Sequence, residues 1–208
     1  MIENVNILLI VAAGFIAMAS PGPATLAIAG TSVSNGRRYG LALAAGVTCG
    51  SILWSVAAAL GLGALMAANT WAFEILRYCG AAYLLFLAFK SAKAALRPAK
   101  AFAAPQAMLT LRSAYAKGLA LHLTNPKAVL FFGSLYAIGI PQGAPPNSLI
   151  LVITALGLLA ALIFHGYALL FSSAPIAAAY VRLRRWFEAV FAIAFGAAAI
   201  KILTARLN

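Results

Sequence analysis

The sequence has no aspartate, and its acidic residues are only Glu3, Glu74 and Glu188. Charged residues make up 9% of the chain, against about 25% in an ordinary soluble domain. So few charges cannot clothe a water-soluble surface, so lipid is expected to cover most of the outside. The shortage of acids also argues against a metal-ion carrier, which needs oxygen or sulfur ligands in its spans. A hydrolase or phosphotransferase would need a nucleophile with a base, and usually metal-binding acids, and neither is evident. No cofactor or metal site is expected. Cys49 and Cys79 are too isolated for a disulfide framework and lack a CxxC setting. Met1–Asn6 carries no Lys or Arg, so the first apolar run does not read as a cleavable signal peptide.

What the chain has is apolar length. Hydrophobic residues are 64% of it and its mean hydropathy is +0.99. A membrane-crossing helix takes about 20 such residues. Six runs qualify: Val5–Ile28, Tyr39–Leu65, Trp71–Lys90, Ala114–Ala137, Ser148–Phe171 and Phe187–Thr204. They do not alternate as barrel strands would, and in lipid a helix satisfies its own backbone. The expected fold is an all-α integral membrane protein with six transmembrane helices. Ser172–Trp186 is less apolar, and Pro175 marks it as an interfacial helix or linker ending in Arg182, Arg184, Arg185 and Trp186.

The formal charge of +12 is placed for a bilayer rather than for nucleic acid. Arg37 and Arg38 follow the first span. Lys93, Arg97, Lys100 and Arg112 lie between the third and fourth, flanked by Lys90 and Lys117, and the three arginines of 182–185 precede the sixth. Met66–Thr70 and Ile138–Asn147 have no basic residue. This positive-inside pattern puts the loops after spans 1, 3 and 5 in the cytoplasm and both termini outside. Lys201 and Arg206 run against it, and Arg77 in the third span is expected to snorkel or to pair with Glu74.

The basic, alanine-rich stretch Ala94–Ser113 reads as a cytoplasmic linker that divides a single transport domain, residues 1–208, into repeats of about 1–93 and 114–208. Three spans per half means that the second half inserts upside down, an inverted repeat. The first span of each half is interrupted, at Ser20-Pro21-Gly22-Pro23 and at Thr124-Asn125-Pro126-Lys127. Proline removes a helix donor and clashes with the preceding turn. Paired interruptions in two halves are a pointer to a transporter binding site, because the freed peptide groups suit carboxylate and ammonium. Pro21, Gly22, Pro23, Asn125, Pro126 and Lys127 are therefore the candidate substrate-binding residues, set between the two broken helices.

Lys127 lies ten residues beyond Lys117, ~15 Å along a helix. That is beyond the reach of snorkelling, so it either binds a substrate carboxylate or rests on carbonyls freed by Pro126. His165 is a candidate proton relay, with Tyr83 and Tyr167 as candidate cavity residues. His122, in the same span as Lys127, reads as a neutral histidine hydrogen-bonded within the bundle. Gly46 and Gly50 form a GxxxG expected to pack helices closely.

Several of these stretches resemble the LysE/RhtB family of amino acid exporters. Ser20-Pro21-Gly22-Pro23 is similar to the family's first-helix motif. Gly36-Arg37-Arg38 with Gly40-Leu41, Gly46 and Gly50 resembles the stretch after it. Gly80-Ala81-Ala82-Tyr83-Leu84 is similar to the third-helix signature, and Leu123–Ala128 to the fourth-helix motif. The resemblance spans roughly residues 8–206. It implies a secondary transporter of the bacterial inner membrane that exports amino acids or related small zwitterions, driven by protons, often as a dimer. The chain departs from the pattern at Ala24, where many members have Asn, and in lacking an acid in the fifth helix. The alternatives from other classes are a thiol redox relay through Cys49 and Cys79 and a non-transporting scaffold.

Overall fold

The computed structural model describes residues 5–68, 70–97, 110–141 and 144–204; within them, side chains are described except at 62–77, 80, 126, 138, 198, 201 and 202. The helices are α1 (Ile7–Ala19), α2 (Pro23–Asn35), α3 (Arg37–Ala68), α4 (Thr70–Ala95), α5 (Leu111–Leu123), α6 (Pro126–Gly139), α7 (Pro146–Leu170) and α8 (Ala174–Thr204). No strand occurs among the described residues.

Local chemistry sets most of the ends. Asn6 caps α1, its Oδ1 accepting from Leu9 N–H at 3.0 Å. Thr110 and Ser113 make a reciprocal capping box at 3.1 and 3.0 Å, so α5 starts three residues before the expected Ala114. Pro23, Pro126 and Pro146 sit at first-turn positions, where a missing N–H costs nothing. Gly36, at φ 93°, makes the tight step from α2 to α3 that a side chain would strain.

Helix α3 packs along α5 and α7, and α4 along α8 and α6. The α3–α5 contact is backbone to backbone. A Cβ at Gly46 would collide with the Tyr115 carbonyl, and one at Gly118 with the Leu43 carbonyl. At Gly50 it would come within 3.0 Å of the His122 side chain. Small residues let membrane helices approach this closely. Between them the core is filled by Ile10, Leu43, Val47, Phe132, Tyr136, Val152 and Leu156, with Ser55 and Tyr136 hydroxyls paired at 2.6 Å. Outward-facing leucines such as Leu8, Leu60, Leu158 and Leu162 are largely exposed, the surface of a protein solvated by lipid.

Among the described residues, Arg37–Gly61 and Pro146–Leu170 are long and apolar enough to cross a membrane, with mean hydropathies of 1.8 and 2.4. The pair α1 and α2, bent by 53° at the break, makes a third, and Lys127–Ala137 is a shorter apolar helix. Two expectations change. The broken first span runs on to Asn35 rather than Ile28. Ser172–Trp186 is not a separate interfacial helix: after a turn at Phe171–Ser173 the chain enters α8 at Ala174 and stays helical to Thr204. Pro175 is harmless in the first turn, and Ala, Leu and Arg after it are good helix formers with no breaker before the apolar run. The expected Arg77–Glu74 pairing, the middle of the 94–113 linker, and Lys201 and Arg206 lie outside the described residues or side chains.

Candidate functional site

The first break follows from which hydrogen bonds its prolines delete. In an unbroken helix the N–H groups of residues 21 and 23 would serve the carbonyls of Ala17 and Ala19. Both positions are proline, and both carbonyls find side chains instead. Ser20 Oγ donates to Ala17 O at 2.9 Å, and the Tyr167 hydroxyl donates to Ala19 O at 2.6 Å. The Ser20 carbonyl receives the Thr25 hydroxyl at 3.4 Å. Gly22 is fully extended and caps α2 with no side chain, so the first N–H groups of α2 have no cap from the protein's side chains.

The second break obeys the same rule. Pro126 deletes the donor for His122 O, which receives instead Asn125 N–H at 3.2 Å and Trp54 Nε1–H at 3.4 Å. Asn125 Oδ1 accepts from Lys127 N–H at 3.0 Å and so caps α6.

Lys127 joins the two breaks. Its ammonium donates to Ser20 Oγ and lies 3.5 Å from Ser20 O. It stands beside Gly22, where a Cβ would sit 3.6 Å from Nζ, and 5.8 Å from the centre of the Phe195 ring. Of the two roles open to Lys127, resting on the carbonyls freed by Pro126 is not what the structure has. The ammonium crosses to the broken end of α1.

The breaks enclose a cavity of about 40 Å³ lined by Met18, Ser20, Gly22, Thr25, Ser51, His122, Asn125, Lys127, Phe131, Phe132 and Phe164. Gly22, Asn125 and Lys127 come together there. Pro21 and Pro23 shape one wall by stripping α1 of donors, and Pro126 opens α6. His122 also lines the cavity. It is bonded within the bundle as expected, Nε2 at 3.0 Å from Ser51 Oγ, but its buried Nδ1 has no partner. Sequence reasoning missed Ser51 and the three phenylalanines, named Ser20 only as part of the break, and read His122 as a bonded bundle histidine rather than as a cavity residue. One signal for His122 was available: it stands four residues before Pro126, where the deleted bond belongs.

Three candidates lie elsewhere. His165 Nδ1 is 2.9 Å from Ala161 O of its own helix and does not line the cavity. Tyr83 is buried on α4 and stacked on Phe86, with ring centres 6.0 Å apart. Tyr167 ties α7 to the end of α1 from outside the cavity. Cys49 is half-buried and Cys79 exposed, and both are free thiols. Among the described residues no cluster of His, Cys, Asp and Glu could hold a metal ion.

An apolar helical bundle in which two interrupted helices close on a small, mostly apolar cavity with a few polar groups at the breaks has the architecture of a membrane transporter. The chain belongs to the LysE type translocator family, which matches residues 15–206. It is therefore a multi-pass membrane protein. It is similar to the threonine efflux protein of Salmonella typhi, 29% identical over 195 residues that cover 92% of this chain and 94% of that one. It resembles an uncharacterised membrane protein of Pseudomonas aeruginosa at 32% identity over 90% of each chain. Over 125 residues, 60% of this chain and 58% of the relative, it is 37% identical to the leucine efflux protein of Salmonella choleraesuis. The named relatives are efflux proteins, not enzymes. No solved structure matches.

Proposed function

We propose that the protein exports a neutral amino acid or a similar small zwitterion across the bacterial inner membrane, by alternating access coupled to protons. The observation that carries this reading is the placement of the Lys127 ammonium between the uncapped start of α2 and the broken end of α1, on a cavity shared by both halves. A substrate carboxylate has two partners there, the lysine and the free N–H groups of α2, whose helix dipole favours negative charge. The names of the relatives, threonine and leucine efflux, agree with a zwitterion whose side chain meets the phenylalanine wall. A cavity of about 40 Å³ has room for a few waters at ~10–15 Å³ of such volume each, too little for an amino acid. Transport on this reading requires the halves to part.

Six spans in two inverted repeats, α1–α4 and α5–α8, within one domain belong to this reading, and the packing of one set against the other supports the repeat. Exchanging the two sets keeps α3–α7 and α4–α8 as they are. It also turns α3–α5 into α1–α7, α3–α6 into α2–α7, α1–α6 into α2–α5 and α4–α6 into α2–α8, all of which are packed pairs. Sidedness in this reading follows the basic loops, with the termini outside, and the assembly is a homodimer. The test is a growth screen of cells overproducing the protein against inhibitory amounts of single amino acids and analogues. Selective resistance supports export and names the substrate. Unchanged sensitivity across a panel that includes threonine, leucine, homoserine and lysine counts against it.

A further inference from the structure

One edge of the His122 ring is occupied and the other is not. The residue is 5% exposed, stands in the last turn of α5 where the second break begins, and lines the cavity. Its Cδ2–Nε2 edge lies on α3. A Cβ at Gly50 would stand 3.2 Å from Cδ2, and Nε2 is 3.0 Å from Ser51 Oγ. Phe164 of α7 meets the ring at 68°, with centres 6.0 Å apart. The backbone is tied too, since Trp54 donates to the His122 carbonyl at 3.4 Å. These contacts hold the ring in one orientation.

Ser51 decides which ring nitrogen carries the hydrogen. Its hydroxyl has one hydrogen, and Val47 O receives it at 3.1 Å. Toward His122 the Ser51 oxygen can then only accept, so the hydrogen of the neutral ring sits on Nε2. Nδ1 is left as a bare acceptor, buried and without a hydrogen-bond partner. In an imidazole the outward directions at Nδ1 and Nε2 are nearly opposite, so Nδ1 points away from α3. A buried acceptor with no donor is costly, and each one in a folded protein calls for a reason. The other polar groups on the cavity are already committed. Asn125 Oδ1 caps α6, Ser20 Oγ is held by Lys127, and Lys127 can only donate. No acid is among the residues lining the cavity.

We propose that His122 Nδ1 is the acceptor for the ammonium group of the substrate. The contact is a hydrogen bond from a substrate N–H to the Nδ1 lone pair; no covalent bond changes and no proton is transferred. The zwitterion then lies across the second break. Its carboxylate meets Lys127 and the start of α2, its ammonium meets the end of α5, and its side chain is left to the phenylalanine wall. A hydrogen bond from a charged donor is roughly twice as strong as one from a neutral donor. The site therefore selects an amino acid over the hydroxy acid of the same shape. This inference rests on the transporter reading above and deepens it by assigning the second charge of the substrate.

The test uses the purified full chain in proteoliposomes, exchanging labelled for unlabelled threonine or leucine. The competitors are the unlabelled amino acid and its 2-hydroxy analogue, 2,3-dihydroxybutanoate for threonine and 2-hydroxy-4-methylpentanoate for leucine. Each analogue keeps the carboxylate and side chain and replaces the ammonium with a hydroxyl. The wild type is expected to prefer the amino acid about tenfold. His122→Gln can turn an amide N–H to Ser51 but has no acceptor at the Nδ1 position. It is expected to keep the wild-type melting temperature and to lose the preference. His122→Asn, whose Oδ1 falls near the place of Nδ1, is expected to recover part of it. A wild-type preference in His122→Gln overturns the ammonium site and leaves the transporter reading intact. Loss of exchange together with a lowered melting temperature in both variants assigns His122 to packing and overturns it equally. Absence of exchange by the wild type with both probes overturns the transporter reading and this inference together.

Discussion

Lys127, the residue after the second helix break, holds Ser20, the residue before the first. They are 107 positions apart and belong to different halves of the chain. Each break thereby closes on the other, and the contact sits on the wall of the cavity. A charge-assisted hydrogen bond contributes ~1.5–3 kcal/mol, most of which disappears when either partner is removed. Ser20→Ala and Lys127→Met are therefore expected to be non-additive. A double-mutant cycle on the melting temperature of the detergent-solubilised protein measures the coupling. Additive effects would mean that the two side chains do not meet.

Tyr167 supplies the donor that Pro23 takes from Ala19. Tyr167→Phe strands a carbonyl at the end of α1, at a cost of ~1–3 kcal/mol where no water reaches it. Membrane proteins soften such losses to an average of ~0.6 kcal/mol. The expected outcome is a lowered melting temperature in detergent, with His165→Gln close to neutral because His165 bonds only within its own helix. Equal destabilisation by both would contradict the assignment.

The α3–α5 seam predicts a position-dependent response to one methyl group. Gly46→Ala and Gly118→Ala push a Cβ into a facing backbone carbonyl, whereas Gly61 and Gly133 have open space beside them. Folded yield by size-exclusion chromatography is expected to collapse for the first two and to hold for Gly61→Ala and Gly133→Ala. A normal profile for Gly46→Ala would show that the helices can separate at no cost.

A chain freed of Cys49 and Cys79 by serine substitution is expected to confer the wild-type level of substrate resistance. The thiols are free, and neither lines the cavity. Loss of resistance with normal membrane levels would revive a thiol relay.

Much of the fold was legible because its signals are backbone rules. Apolar runs gave the helical class, and three prolines and a glycine gave both breaks to within a residue or two. What the prolines do to their neighbours was legible only in part. The deleted bonds can be counted from sequence, but their replacements, Tyr167 for Ala19 and Trp54 for His122, come from helices far away in the chain. Lys127 stood out as an intramembrane charge, yet its partner could not be read, since Ser20 is an ordinary helix-end serine until the halves are docked. Hydropathy separated Ser172–Trp186 from the last span, because arginines lower a window average without interrupting a helix.

The central claim is that the meeting of the two breaks makes the substrate site, with Lys127 as its charge. The measurement closest to it is efflux of threonine and leucine from cells producing Lys127→Ala at membrane levels matched to the wild type. Removal of an interaction worth ~1.5–3 kcal/mol predicts a fall of about tenfold or more for every substrate the wild type exports. Efflux at the wild-type rate would contradict the account.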